Sequence, residues 1–175
     1  MTLDNILEEI NNANKIVILT HENPDGDAIG SSLGLYNALK SMGKNPDIII
    51  PEYSRIFKFL AGADEIKTES DIENYDLAIA VDCASIKLLN GFAKYFEGAK
   101  VKINIDHHST NMMFGDYNYV NPDAPAAAQV VLVILHLSHI SLIVILSYPF
   151  SLNKLYEILI IFFLTSLYIL SPFLL

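Results

Sequence analysis

The sequence predicts an α/β fold in which a parallel sheet carries helices on both faces. Short apolar runs rich in β-branched residues, as at 15–20 and 77–82, alternate with segments of helical periodicity. That alternation is typical of strand–helix–strand units built on a parallel sheet. The chain has 175 residues, enough for one ordinary domain. Its single cysteine, Cys83, excludes a disulfide scaffold and a cysteine-based zinc site.

The predicted elements follow one another along the first part of the chain. Leu3, Ile6 and Ile10 recur at helical spacing, and the run 15–20 predicts the first strand. A helix is expected from Ala28 to Met42, with Gly43 in the left-handed position that ends a helix. The later predictions are a strand between Pro46 and Pro51, a short helix over 55–60, a strand over 77–82, a helix over 86–96, a strand over 100–106, a short strand at Tyr117 and Tyr119, and a helix over 124–135.

The charge balance limits the possible partners. There are 20 acidic and 11 basic residues, for a formal net charge of −9. This argues against a protein that holds nucleic acid on a broad basic surface. It leaves open a small anionic substrate held by metal ions, because acidic ligand clusters themselves make a chain acidic. The N-terminal stretch is polar and acidic and does not read as a signal peptide, so a cytoplasmic location is expected.

The composition changes abruptly near residue 131. From there to the end there is no Gly, Ala, Asp, Gln or Arg, and only Lys154 and Glu157 carry a fixed charge. We therefore expect a domain over 1–131 and an apolar, helical tail over 132–175. Three interpretations of the tail stay open: non-homologous or out-of-frame sequence that leaves an incomplete enzyme, membrane association through 140–175, or a buried pair of core helices.

Three clusters of ligand-type residues each follow a predicted strand: His21, Asp25 and Asp27, then Asp82, then the triplet Asp106, His107 and His108. The carboxyl ends of parallel strands share one edge, where ligands bind. Alone, each cluster could be a helix cap, a strand-end cap or a solvated loop pair. Together, the crowded carboxylates need a counter-charge. Carboxylate and imidazole ligands without thiolates suit Mn²⁺, Mg²⁺, Fe²⁺ or Zn²⁺, with a preference for manganese or magnesium, and their number suggests two ions.

The segments THENPDGDAIGS (20–31), AVDCA (80–84) and NIDHHST (104–110) resemble the first three motifs of the DHH phosphoesterases, a family named for the triplet. The resemblance covers residues 1–130 and is strongest to enzymes that degrade nano-RNA and dephosphorylate 3′-phosphoadenosine 5′-phosphate. It implies hydrolysis by a hydroxide held between two Mn²⁺ ions, or Mg²⁺ in their place. A short RNA or a phosphorylated nucleotide would be the substrate, and a homodimer is compatible with this interpretation.

The resemblance also implies a role for each motif residue. His21 and Asp25 would bind the first metal, Asp27 and His107 the second, and Asp82 both. The implied catalytic set is completed by Asp106, which would orient a histidine, and His108, which would face the phosphate. Weaker substrate-binding candidates are Gly30, Ser31 and Arg55.

Two features of the family pattern are missing. The family has a further aspartate some fifty residues after the triplet, but no Asp follows Asp123 here. It also has a Gly-rich, His-containing second domain, but no Gly follows Gly115. We therefore expect weak or no activity from this chain. Two alternatives stay open: a pyrophosphate or polyphosphate hydrolase, and a non-catalytic metal-binding or membrane-tethered remnant.

Overall fold

A computed structural model of the chain describes residues 3–50, 52–72 and 74–137. Most of the predicted tail over 132–175, with its alternative interpretations, lies outside these residues. The predicted domain boundary between 131 and 132 stays a prediction. No helix among the described residues has both the length and the apolar character needed to span a bilayer.

Five parallel strands form a single sheet in the order β2-β1-β3-β4-β5. The strands are β1 (Ile16–Leu19), β2 (Asp47–Ile49), β3 (Leu77–Val81), β4 (Val101–Asp106) and β5 (Tyr117–Val120). The α-helices are α1 (Leu3–Asn12), α2 (Gly26–Ser41), α3 (Ala93–Glu97) and α4 (Ala127–Leu137). Shorter 3-10 turns lie at Arg55–Phe57, Ala63–Glu65 and Ile86–Phe92.

Apolar residues cover both faces of the sheet. One core joins the sheet to α1, α2 and α4, and contains Ile18 and Ile79 among its fully buried residues. The other joins the opposite face to the 86–92 turn and α3, and contains Val17 and Phe96. Val17 and Ile18 are neighbours in β1, so their side chains point to opposite faces. The predicted α/β architecture with helices on both faces is confirmed.

Some boundaries differ from the prediction for local reasons. Helix α2 begins at Gly26 rather than Ala28, because the Asp25 side chain caps it. The helix expected over 86–96 is a 3-10 turn followed by the short α3, since Asn90 has φ 45° inside the turn and breaks the helical path. Gly43 has φ 78°, which confirms its left-handed position after α2.

The strand order creates a crevice at the carboxyl end of the sheet. After β1 the chain crosses to β2 on one side, whereas β3 lies on the other side of β1 and leads to β4 and β5. Connections leaving neighbouring strands in opposite directions mark the point where open α/β sheets bind ligands. The segments that follow β1, β3 and β4 carry the three predicted clusters to this place.

Candidate metal centre

Asp82 lies at the centre of the crevice, directly after β3. Its side chain is only 2% exposed, and its backbone has φ 53°, in the left-handed region. Its amide still donates to the carbonyl of Ile105, at 2.9 Å, so the neighbouring strand holds the strained residue in place. The carboxylate oxygen Oδ1 is buried without a hydrogen-bond partner. A buried, partnerless carboxylate oxygen is costly, and a bound cation satisfies such a group.

Side chains from the other two clusters surround this carboxylate. His107 Nε2 and His108 Nδ1 each lie 3.6 Å from Asp82 Oδ1, and His21 Nε2 lies 3.9 Å from Oδ2. Ligand atoms of Asp82, His107 and His108 lie within 4.8 Å of one another, as do those of His21, Asp25 and Asp82. Asp82 is therefore shared by two groups that could each hold a metal ion.

Two of the histidines are oriented by backbone carbonyls. His21 Nδ1 lies 2.8 Å from the carbonyl oxygen of Glu22, and His107 Nδ1 lies 3.1 Å from that of Ala124. A carbonyl oxygen only accepts hydrogen bonds, so Nδ1 of each neutral ring carries the proton. The Nε2 lone pair of each ring is then directed towards the crevice, which is the arrangement that metal-binding histidines use.

Asp25 and Asp27 are each held by helix amides. Asp25 Oδ1 accepts hydrogen bonds from the amides of Asp27 and Ala28, at 2.9 and 3.0 Å. Asp27 accepts at both oxygens from α4, from the amide of Ala127 at 2.7 Å and that of Ala128 at 3.0 Å. Asp27 Oδ2 also lies 3.6 Å from His107 Nε2. A carboxylate has about four lone-pair sites, and the amides use only two in each group, so these bonds fix the carboxylates while leaving acceptor capacity for a cation.

Asp106 and His108 form a separate pair at the edge of the crevice. Asp106 is fully buried at the end of β4, and its Oδ1 lies 2.8 Å from Nδ1 of His108. The His108 side chain is 45% exposed. The pair therefore presents an imidazole to the open side of the crevice, supported from behind by a buried carboxylate.

The electrostatics of the crevice favour a cation. Burial raises the pKa of Asp82 to about 7, and the negative charges of Asp27 and Asp25 act in the same direction. The pKa of His108 is raised: burial opposes protonation of the ring, but the hydrogen bond to Asp106 and that carboxylate's charge outweigh it. A divalent ion beside Asp82 would stabilise the ionised carboxylate and so offset the free-energy cost of burying its charge. The residues present thus fit a metal ion by their donor set and by the partnerless oxygen of Asp82.

The weaker substrate-binding predictions fall in different surroundings. Ser31 is buried, and its hydroxyl donates to the carbonyl oxygen of Asp27 at 2.6 Å. Gly30 is half-buried within α2, and Arg55 is exposed in the 55–57 turn. Cys83 is buried, and burial raises the pKa of its thiol to about 12, as expected for a packing residue. The assignment of Gly30, Ser31 and Arg55 to substrate binding stays a prediction.

Sequence reasoning missed two sets of residues that support the site. The first is the segment Ala124–Ala128, whose carbonyl and amides hold His107 and Asp27. Its alanines have no side-chain chemistry, so nothing in the sequence indicates that their backbone is used. The second is the pair Asn104 and Asn111 beside Asp106. Asn104 did leave a signal, since it is a polar residue between Ile103 and Ile105 in a predicted strand.

The comparisons with known proteins agree with this architecture. The DHH family, N-terminal domain, matches residues 15–159. The chain belongs to the DHH family. DHH proteins are metal-dependent phosphoesterases, and the crevice lies where the three DHH motifs meet.

Several relatives have known names. The chain is 41% identical over 117 residues to the bifunctional oligoribonuclease and PAP phosphatase NrnA of Thermus thermophilus, covering 66% of this chain and 35% of the relative. It is 31% identical over 121 residues to the protein of that name from Bacillus subtilis, covering 66% of this chain and 36% of the relative. The chain therefore spans about a third of the length of these relatives.

A solved structure shows the same fold. An exopolyphosphatase-related protein from Bacteroides fragilis superposes with a TM-score of 0.73 at 27% sequence identity. The match covers 78% of this chain and 43% of that protein.

Proposed function

We propose that this DHH chain is the metal-binding part of a manganese-dependent phosphoesterase acting on short oligoribonucleotides or 3′-phosphoadenosine 5′-phosphate. The observation that carries the proposal is the buried Asp82 carboxylate, which has a partnerless oxygen and lies within reach of ligand atoms from two other loops. The names of the relatives from Thermus thermophilus and Bacillus subtilis support the substrate class.

Five side chains would hold two metal ions. His21 and Asp25 would bind one ion, Asp27 and His107 the other, and Asp82 both. The support for this division is that His21, Asp25 and Asp82 form one group of neighbouring ligand atoms, while His107 lies 3.6 Å from both Asp27 and Asp82. When bound, such ions neutralise phosphate oxygens and supply a hydroxide nucleophile at neutral pH.

The remaining residues would act on the substrate. His108 is exposed and backed by Asp106, so its free ring nitrogen would contact a phosphate oxygen of the substrate. Arg55, in the 55–57 turn, and Gly30 and Ser31, in α2, stay candidates for substrate contact. Holding the phosphate between His108 and the ligand side chains keeps the reacting group in one orientation, which is a large part of the catalytic advantage.

We expect weak turnover from this chain by itself. It spans about a third of the length of its relatives, and the remainder of those proteins is not part of it. The cytoplasmic location and the homodimer stay predictions. A non-catalytic metal-binding protein is the alternative that binds Mn²⁺ and gives no turnover at all.

A second candidate activity is hydrolysis of pyrophosphate or polyphosphate. The superposed Bacteroides fragilis protein, described as exopolyphosphatase-related, favours it. Both activities would use the same ligands, because the transferred group is a phosphate in each case. They would differ in what binds beside the reacting phosphate.

The decisive test is manganese binding by the whole chain. We expect calorimetric titration to give two Mn²⁺ ions per chain, and Asp82→Ala to weaken both by at least about 100-fold, since losing even a supporting residue of a metal ligand costs 10–100-fold. Asp116→Asn is the matched control, because this half-exposed carboxylate pairs with Lys102 at the other end of the sheet. Unchanged binding by Asp82→Ala, or equal loss in the control, would refute the proposed centre.

Substrate choice is tested by competition. With Mn²⁺ present, the chain should release mononucleotide slowly from a labelled RNA dinucleotide, and excess unlabelled dinucleotide should suppress the signal more than excess pyrophosphate does. Stronger suppression by pyrophosphate would favour the second activity. Rapid turnover would contradict the expectation that this chain is weakly active.

A further inference from the structure

Asn111 makes an unusual number of contacts for a loop residue. Its Nδ2 lies 2.6 Å from Asp106 Oδ2, 2.7 Å from Asn104 Oδ1 and 3.2 Å from the carbonyl oxygen of Cys83. Its Oδ1 accepts a hydrogen bond from the amide of Met113 at 2.6 Å. One carboxamide therefore joins the end of β4 to the segment after β3 and to its own loop.

These partners fix which way the amide faces. A backbone N–H can only donate, so the group facing Met113 must be the oxygen. The three groups on the other side are all oxygen acceptors, so they must face the NH₂ group. A flipped amide would lose every one of these hydrogen bonds, which makes the orientation unambiguous.

The amide completes the partners of a buried carboxylate. Asp106 is fully buried, and its two oxygens have different partners: Oδ2 accepts from Asn111, and Oδ1 contacts Nδ1 of His108 at 2.8 Å. Without Asn111, Oδ2 would lose its charge-assisted hydrogen bond, and the carboxyl group could turn about its Cβ–Cγ bond. The plane of the carboxylate, and with it the direction of Oδ1, thus depends on Asn111.

We propose that Asn111 is a positioning residue for His108, acting through the Asp106 carboxylate. This inference rests on the proposed phosphoesterase function, in which His108 contacts the substrate phosphate. Because Asp106 Oδ1 accepts a hydrogen bond from Nδ1–H, the neutral His108 ring is held in the Nδ1–H form, with Nε2 directed away from Asp106. Asn104 supports the arrangement from within β4, since it is fully buried and its amide donates to the carbonyl oxygen of Cys83 at 3.0 Å.

A role of Asn111 in shaping its own loop must be distinguished from a role in orienting His108. Asn111 also holds the amide of Met113, a residue with φ 52°, so its loss could alter the loop without any specific effect on His108. Asn118 provides the matched control. Asn118 lies in β5, and its side chain makes two hydrogen bonds, at 2.9 and 2.8 Å, with the backbone of Gly115 in the connection that precedes this strand. No hydrogen bond described for it reaches Asp106.

The experiment is nitrogen-15 NMR of the histidine rings in the metal-free chain, at a pH where the rings are neutral. The His108 signals are assigned by their absence in His108→Gln. In the unaltered chain and in Asn118→Ala, we expect His108 in the Nδ1–H form. In Asn111→Ala and Asn111→Asp, the ratio of the Nδ1–H to the Nε2–H form should fall about fivefold or more, the equivalent of one hydrogen bond.

Each other outcome overturns the proposal. An Nε2–H form in the unaltered chain, an unchanged ratio in both Asn111 variants, or an equal fall in Asn118→Ala would each do so. Loss of native circular dichroism in both Asn111 variants would assign the residue to loop folding instead. The measurement uses neither metal nor substrate, so a failure of the proposed phosphoesterase function would appear in the manganese and turnover assays and not here.

Discussion

Carboxylates have different partners at the two ends of the parallel strands, which we call the amino edge and the carboxyl edge of the sheet. At the amino edge, three aspartates each pair with a lysine: Asp47 with Lys67, Asp76 with Lys100 and Asp116 with Lys102. At the carboxyl edge, four aspartates lie close together, and every ion pair described there involves a histidine. Lysines neutralise the aspartates at the amino edge, whereas the negative charge of the aspartates at the carboxyl edge is available to a bound cation.

Strand β3 carries the contrast within a few residues. Asp76 precedes it, and hydrogen bonds from the backbone of Lys15 and from the Lys100 side chain lower its pKa to about 2, against a small opposing effect of burial. Asp82 follows it, and burial raises its pKa to about 7. The anion of an aspartate is thus stabilised before β3 and destabilised after it. This difference is the arrangement expected if a cation binds at the carboxyl edge.

Among the tests that compare the two edges, the largest effect is expected from removing a ligand that only one of the proposed metal ions would use. His21→Ala should weaken one of the two Mn²⁺ ions about 100-fold and leave the second bound, since His21 lies near Asp25 and Asp82 and not in the group with His107. Titration calorimetry gives the stoichiometry. Asp76→Asn, at the opposite edge, should keep both ions. Loss of both ions in His21→Ala would contradict the proposed division of ligands.

A smaller effect is expected from Asp47, an amino-edge aspartate whose carboxylate has three side-chain partners. Asp47→Ala should lower the free energy of unfolding by about 2 kcal/mol, because the carboxylate accepts from Lys67 and Ser70 and from the fully buried Tyr75 hydroxyl at 2.7 Å. Urea unfolding measures the loss. Manganese affinity of the folded variant should stay unchanged. A stable variant with weakened manganese binding would remove the distinction between the two edges.

The smallest effect depends on pH. Asp76→Asn should cost about 1 kcal/mol of stability at pH 7, because the amide replaces a carboxylate that accepts charge-assisted hydrogen bonds. The pKa of Asp76 is lowered from 3.8 to about 2 in the folded chain, so its contribution is complete above pH 4 and is lost as the pH falls towards 2. Urea unfolding from pH 2 to 7 should therefore show the two curves converging in acid. Parallel curves would show that the charge of Asp76 does not stabilise the fold.

Most of the fold was accessible from the sequence because its signals are local. β-branched runs identified the strands, and helical spacing identified α1 and α2. The prediction of one helix over 86–96 was wrong because the helical pattern there does not reveal that Asn90 adopts a positive φ. Helix α2 was predicted to start late because Asp25 was assigned as a metal ligand in preference to a helix cap, whereas its carboxylate caps the helix.

The sequence predicted the residues that contribute side chains to the candidate site, but not those that contribute only backbone groups. His21, Asp25, Asp27, Asp82 and His107 were named because each follows a strand, and the parallel sheet brings their loops together. Ala124 and Ala127 could not be named, because they act through backbone groups that every residue type possesses. Asn111 lies in the loop after β4, where no periodicity marks it, so only its contacts identify its role.

The bonds between Asp27 and the first amides of α4 join positions 100 and 101 residues apart in the chain. During synthesis, a nascent chain that has not yet reached Ala128 possesses every motif aspartate and still lacks the contacts that orient Asp27. A cation would therefore bind after α4 has packed against Asp27. Its binding would in turn stabilise this packing by mass action. Hydrogen exchange at the Ala127 and Ala128 amides would then slow when manganese is added. The change in exchange rate would measure how much manganese stabilises the contact between Asp27 and the start of α4.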